Sequence, residues 1–173
     1  MSEPHELNPE PQRSRPQMPA GYGVDPAATA EMLPWSTVTA QLASARSYWL
    51  CTTRPDGRPH VAPVWGLWLD DAVHFSTDPT SRKGRNLTAN PACVVHLESG
   101  DDAVIIEGTV EPVTDPEVLA RFVDAYDAKY HVRPDPMDPG SATYRVRPAV
   151  AFAWLEKSFL GSASRWRFTT RRD

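Results

Sequence analysis

The sequence predicts a small, mainly β domain: an antiparallel barrel of six or seven short strands with two or three short helices. Three observations carry that expectation. Short runs of strand-forming residues recur along the chain, tight turns rich in Asp, Gly and Pro join neighbouring runs, and the helical patterns that interrupt them are too few for a βαβ alternation. Closing the strands into a barrel also removes the open edges that so short a chain would otherwise leave unpaired.

The chain has 173 residues, 40% of them hydrophobic and 23% charged, enough for one core and too few for two full-sized domains. Seven of the 18 prolines precede Trp35, so the proline excess marks a leader and not a fibrous repeat. Residues 1–32 are expected to be a disordered or extended Pro-rich tail, because they hold too few apolar side chains to offset the entropy of ordering. Residues 33–173 are expected to form the barrel.

The longest apolar run, Ala149 to Leu155, is seven residues, far short of the roughly 20 that span a bilayer. No secretion-signal pattern opens the chain, and Cys51 and Cys93 sit in apolar strand-like sequence without CxxC spacing, which fits a reducing cytoplasm. The net charge of −4 offers no general attraction to nucleic acid or an anionic membrane, so any anion site must be local. The basic residues are 15 arginines and 3 lysines, a bias expected of a GC-rich genome such as an actinobacterial one.

Along the chain, Ser36 is a candidate N-cap for a short helix that places Val38, Leu42 and Ala45 on one face and ends near Arg46. Tyr48 to Thr53 and Arg58 to Leu69 are two strands of a hairpin turned by Arg54-Pro55-Asp56-Gly57. Asp70-Asp71 turns into a third strand, Ala72 to Thr77. Thr80 or Ser81 then caps a helical turn that carries Arg82, Lys83, Arg85 and Asn86 and ends at Pro91. A fourth strand, Cys93 to Leu97, leads through Ser99 to Asp102 into a fifth from Ala103 to about Val113, where Glu107-Gly108 predicts a bulge. Asp115 as N-cap, Pro116 at the first helical position and the stripe Val118, Leu119, Phe122, Val123 and Tyr126 predict a helix to Tyr130. Thr143 to Leu155 is a long strand with Pro148 inside it, which requires an edge, bend or bulge, and Ser164 to Thr170 is a last strand.

The segment Thr80-Ser81-Arg82-Lys83-Gly84-Arg85-Asn86-Leu87 puts hydroxyls and three cations at a helix start, where N–H groups, hydroxyls and charged donors converge on a phosphate. Taken alone it reads equally as a solvated basic helix face. The order of elements around it is more specific. A Pro-Asp-Gly hairpin is followed by Pro59-His60-Val61-Ala62-Pro63-Val64-Trp65, a strand ending Phe75-Ser76-Thr77, and then Ser81-x-Lys83-x-x-Asn86-Leu87. This string, spanning roughly Trp35 to Phe168, resembles the pyridoxamine 5′-phosphate oxidase-like split β-barrel flavoproteins. With the closing Arg165-Trp166-Arg167-Phe168 it looks most like the B-type flavin/deazaflavin oxidoreductases, many of which use coenzyme F420.

The resemblance implies a homodimer with two cofactor sites at its interface. It implies that Ser76, Thr77, Ser81, Arg82 and Lys83 hold the cofactor phosphate, that Ala62, Pro63 and Val64 lie along the tricyclic ring, and that Trp166 of the partner subunit approaches it. The expected activity is hydride transfer between deazaflavin and an unsaturated small organic substrate, with the cofactor carrying the chemistry. FMN is the alternative cofactor, and a non-catalytic cofactor-sequestering protein the alternative class. No catalytic acid is legible, although Tyr126, Tyr130 and Tyr144 are candidate proton donors. His60, His74, His96 and His131 lack metal-ligand spacing, so no metal is expected. The absence of G-x-S-x-G, G-x-G-x-x-G and P-loop motifs leaves hydrolase, Rossmann and nucleotide-triphosphatase readings without a starting point.

Overall fold

A computed structural model of the chain describes residues 10–23, 25, 27 and 29–169. Its elements run β1 (Gln12–Ser14), α1 (Trp35–Ser44), β2 (Tyr48–Thr53), β3 (Pro59–Val64), β4 (Gly66–Leu69), β5 (Ala72–Thr77), α2 (Arg82–Ala89) and β6 (Ala92–His96). They continue with β7 (Asp102–Pro112), α3 (Pro116–Tyr130), β8 (Ala142–Leu155), α4 (Phe159–Ser162) and β9 (Ser164–Arg167). The mainly antiparallel β architecture with a few short helices is the one the sequence predicts, with nine strands among the described residues in place of six or seven.

Strands hydrogen-bond in the order β1-β9-β8-β7-β6-β2-β3, while β5 pairs with β8 and β4 with β5. The long strand β8 joins the two halves of the barrel. Ala142 to Val146 pairs with β5, Val150 to Ala153 pairs with β9, and β7 runs along nearly its full length. The change of partner happens at Pro148, opposite a register shift between Glu107 and Gly108. A side chain at Gly108 would put its Cβ 2.2 Å from the Arg147 carbonyl oxygen, so only glycine lets β7 pass this bend.

Local signals set most boundaries. Asp70 and Asp71 both have positive φ, +50° and +57°, as a two-residue hairpin turn requires. The Asp115 carboxylate accepts from the N–H groups of Glu117 and Val118 at the start of α3, and His131 closes that helix in the left-handed conformation.

Three elements differ from expectation. The strand predicted over Arg58 to Leu69 breaks at Trp65 into β3 on β2 and β4 on β5, because the chain crosses from one half of the barrel to the other. Helix α1 starts at Trp35 behind Pro34 and has no side-chain cap, so Ser36 lies inside it. Of the tail, residues 1–9 lie outside the described residues. Gln12–Ser14 forms a strand on β9, and Arg13 donates to the carbonyls of Met32 and Leu33 at 3.3 and 3.2 Å.

One core gathers Trp35, Val38 and Leu42 of α1 against Tyr48, Leu50, Phe75, Val95, Ile106, Val146 and Trp166 of the sheet. A second, smaller one packs Phe122, Val123 and Tyr130 of α3 on Leu67. Among the described residues no helix is long and apolar enough to cross a membrane.

Candidate functional site

Helix α2 begins against the end of β5 through a dense local network. The Ser81 hydroxyl accepts from Gly84 N–H at 3.1 Å and lies 3.4 Å from the Thr77 hydroxyl. Asp78 accepts from both the N–H and the hydroxyl of Thr80, bonds that hold its carboxyl below the usual carboxylate range. Gly84 is buried against this loop. A Cβ there would stand 2.4 Å from the Pro79 carbonyl oxygen and 2.6 Å from that of Asp78. Arg85 donates to the Thr80 carbonyl, while Arg82 and Lys83 of the first turn form no ion pair among the described residues.

The β2–β3 hairpin folds over this helix start. Buried Asn86 of α2 donates to the Thr52 hydroxyl of β2 at 2.9 Å, and that hydroxyl lies 3.4 Å from His60 Nδ1 on β3. Burial lowers the His60 pKa, and the charges of Arg54, Lys83 and Arg82 lower it further. The charges of three cations from two distant segments therefore act on one imidazole. No carboxylate pairs with any of them among the described residues, and the Arg54 Nε is buried with no hydrogen-bond partner. Asp56 feels the charges of Arg54 and Arg82, and Asp78 that of Lys83, without closing an ion pair on them; cations left without a direct partner, with a buried orphan donor near a helix N-terminus, favour an anion with several acceptor oxygens, such as a phosphate.

Of the residues singled out from sequence, Thr77, Ser81, Arg82 and Lys83 come together here. Ser76 faces away: its hydroxyl lies 2.7 Å from that of Ser141 and donates to the Ala142 carbonyl, fixing the start of β8. Arg54 and His60 join the group although neither was picked as a binding residue, because only the closure of the hairpin over α2 brings them in.

Ala62, Pro63 and Val64 lie on β3, which ends the sheet order and so has one open edge. Arg54 N–H donates to the Arg58 carbonyl at the mouth of the hairpin, which sets the phase of the ladder. His60, Ala62 and Val64 then bond to β2, and the backbone groups of Pro59, Val61 and Pro63 point outward. Since proline has no N–H, this stretch of edge presents one donor, Val61 N–H, among several carbonyl acceptors.

Beyond Val64, the exposed Trp65 ring stacks on Tyr130, centroids 4.8 Å apart and planes 2° from parallel. The Tyr130 hydroxyl is tied to Gly66 and the Arg46 carbonyl, so this tyrosine is a structural clamp and not the proton donor considered from sequence.

Trp166 requires a correction. It is 0% exposed, packed against Trp35 at 5.2 Å between ring centroids. Its position in a short alternating strand, Ser-Arg-Trp-Arg, turns the arginines outward and the indole into the core. It is a core residue of its own subunit and leaves the site.

Register also reveals an apolar outer face. Pro63, Trp49, His96, Ile105 and Phe152 are successive cross-strand neighbours over β3, β2, β6, β7 and β8, and each is only partly covered. Contiguous apolar patches of this kind on a protein surface mark interaction sites. Next to this face lies Val61, 51% exposed.

The family described as pyridoxamine 5′-phosphate oxidase matches residues 35–155. A pyridoxine/pyridoxamine 5′-phosphate oxidase of Azorhizobium caulinodans is 45% identical over 76 residues, which are 42% of this chain and 36% of that enzyme. The chain thus matches about a third of the length of that curated relative. A crystal structure of a conserved hypothetical protein from Mycobacterium tuberculosis superposes with a TM-score of 0.65 at 24% identity, covering 74% of this chain and 89% of that one. A structure named F420 reductase gives a TM-score of 0.54 at 25% identity, covering 65% of this chain and 93% of its own.

Proposed function

The chain belongs to the pyridoxamine 5′-phosphate oxidase family, and from that premise we propose that it is an F420-dependent oxidoreductase acting on an unsaturated small organic substrate. The observation that carries the reading is that Arg54, Arg82 and Lys83, none of them in an ion pair among the described residues, all act on His60 at one end of an open edge strand, with the Arg54 Nε buried and unpartnered. These cations and the Ser81 hydroxyl would hold the cofactor phosphate, with the free N–H groups of the first turn of α2. Val61 N–H and the outward carbonyls of β3 would meet the polar edge of the ring. Bound there, the reduced deazaflavin supplies a hydride to the acceptor.

The donor count of β3 supports the deazaflavin. FMN carries a nitrogen at position 5 of its central ring that accepts a hydrogen bond, where the deazaflavin carries a C–H. An edge on which Pro59 and Pro63 leave a single N–H suits the ring with fewer acceptors to satisfy. The structural neighbour named F420 reductase supports the same choice. The name of the curated relative favours FMN instead, and a phosphate cluster serves either cofactor.

The apolar outer sheet face supports a homodimer, in which a second copy covers that face, shields the ring from water and completes the pocket. Side-by-side titration of the protein with F420 and FMN, followed by cofactor fluorescence, tests the reading. Tight F420 and weak FMN binding are expected, the reverse order assigns the FMN branch, and binding of neither overturns the site. F420 bound without turnover of any reducible acceptor would make the protein a cofactor-sequestering one.

A further inference from the structure

Half-buried His60 is bonded in a way that accepts either charge state of its ring. Buried Asn86 donates to the Thr52 hydroxyl at 2.9 Å, so that oxygen is already an acceptor and its own proton is free to be given elsewhere. Two acceptors on His60 lie within its reach, the imidazole Nδ1 and the backbone carbonyl, each at 3.4 Å. While the hydroxyl donates to Nδ1, the ring is neutral and carries its proton on Nε2. Turned to the carbonyl, the same hydroxyl accepts from a protonated Nδ1, and both ring nitrogens are donors. Rotation of one hydroxyl thus exchanges the two states and leaves no buried donor unpaired. With Nδ1 facing Thr52 on β2, Nε2 is turned away from that strand and has no hydrogen-bond partner among the described residues.

Charge selects between the states. Arg54 of the hairpin turn and Lys83 and Arg82 of α2 all act on the ring, and each disfavours a further positive charge there, as burial does. Asp56 and Asp78 act on those cations; bonds from Arg58 and from Thr80 hold their carboxyls below the usual carboxylate range, so both stay ionised at neutral pH. An anion seated among the cations reverses the balance at His60.

We propose that His60 is a further ligand of the anion site, neutral while the site is empty, and that it takes a proton from solvent as the anion enters and donates to it from Nε2. The inference rests on the phosphate reading of the cluster and adds a residue and a pH dependence to it. Because the bound state holds the extra proton, binding strengthens as pH falls from about 8 toward about 6.

Sulfate is the probe, since it stays a dianion throughout this range and brings no titration of its own. The histidine rings of the full chain are followed by NMR as pH is varied, without sulfate and with saturating sulfate at constant ionic strength. The titration midpoint of His60 is expected below the ordinary 6.5 in the empty protein and about one pH unit or more higher with sulfate, while exposed His131 does not move. Calorimetry at about pH 7 in two buffers of different ionisation enthalpy should show proton uptake on sulfate binding. His60→Gln should abolish that uptake and flatten the dependence of sulfate affinity on pH; thermal unfolding shows that the variant is folded, and the NMR titration needs no variant. A His60 midpoint unmoved by saturating sulfate, or uptake that survives in folded His60→Gln, overturns the proposal. Failure of sulfate to bind at any pH overturns it together with the phosphate reading. If the midpoint stays put while F420 or FMN binds, the role of His60 alone is wrong; if it moves with sulfate while neither cofactor binds, His60 stands and the cofactor assignment fails.

Discussion

One phenolic oxygen joins Tyr130 to Gly66 across 64 residues of sequence: it accepts from Gly66 N–H at 2.9 Å and lies 2.7 Å from the Gly66 carbonyl. The same oxygen donates to the Arg46 carbonyl. The last turn of α3 is thereby pinned to the point where β3 gives way to β4, and Lys129 adds a bond to the Gly66 carbonyl. Burial raises the pKa of the Tyr130 hydroxyl, which keeps it protonated and in place as a clamp.

Tyr130→Phe is therefore expected to cost about 1–3 kcal/mol of stability, the penalty for leaving a buried N–H and carbonyl with one partner fewer. Urea unfolding measures the loss. Affinity for the cofactor phosphate should stay unchanged, since the hydroxyl touches no member of the cationic cluster.

The cationic cluster separates from its neighbours by single substitutions. Lys83→Ala and Arg54→Met should each weaken cofactor binding by about tenfold or more and flatten its dependence on salt. Arg58→Met is the control, because Arg58 is exposed and already paired with Asp56. Equal losses from all three would mean that general positive charge, and not a built site, holds the ligand.

How much of this was legible depends on the range of the interactions involved. The ends of β2, β5 and α3 follow from turns and caps a few residues long, so the sequence alone places them closely. Ser81, Arg82 and Lys83 are adjacent in the chain and declare a helix start. Arg54 and His60 reach that helix through tertiary packing of β2 on α2 that includes the Asn86 to Thr52 bond, 34 residues in span, and no local pattern encodes it. The break at Trp65 is hidden for the same reason, since nothing near it stops a strand and only the change of partner does. The resemblance assigns Trp166 to the partner's site, whereas the period of two in Ser164–Arg167 turns it into the core.

Trp166→Ala should cost about 3–5 kcal/mol through the cavity it leaves in the core, read as a lowered unfolding midpoint. Trp166→Phe, which retains most of the packing, should bind cofactor like the parent. Loss of binding in a stably folded Trp166→Phe protein would return this residue to the site.

His74 sets a pH dependence of stability. It is 0% exposed, packed against Phe122 of α3, and its Nε2 has no partner. Burial lowers its pKa below the ordinary 6.5; of the charges nearby, Asp70 opposes that shift while Arg145 and Arg121 add to it. The folded chain thus binds fewer protons at this residue than the unfolded one. Its contribution is fully present above about pH 6.5 and is lost as pH falls from there toward the lowered folded value. His74→Phe should flatten that part of the curve of urea midpoint against pH; an unchanged slope would assign the pH dependence to other groups.

The most direct test is a crystal structure of the protein grown with F420. The account predicts the coenzyme phosphate between Arg54, Arg82, Lys83 and the Ser81 hydroxyl, with the ring along the outer edge of β3 and its polar side toward Val61. A phosphate bound away from that cluster, or a ring that does not touch β3, would contradict it.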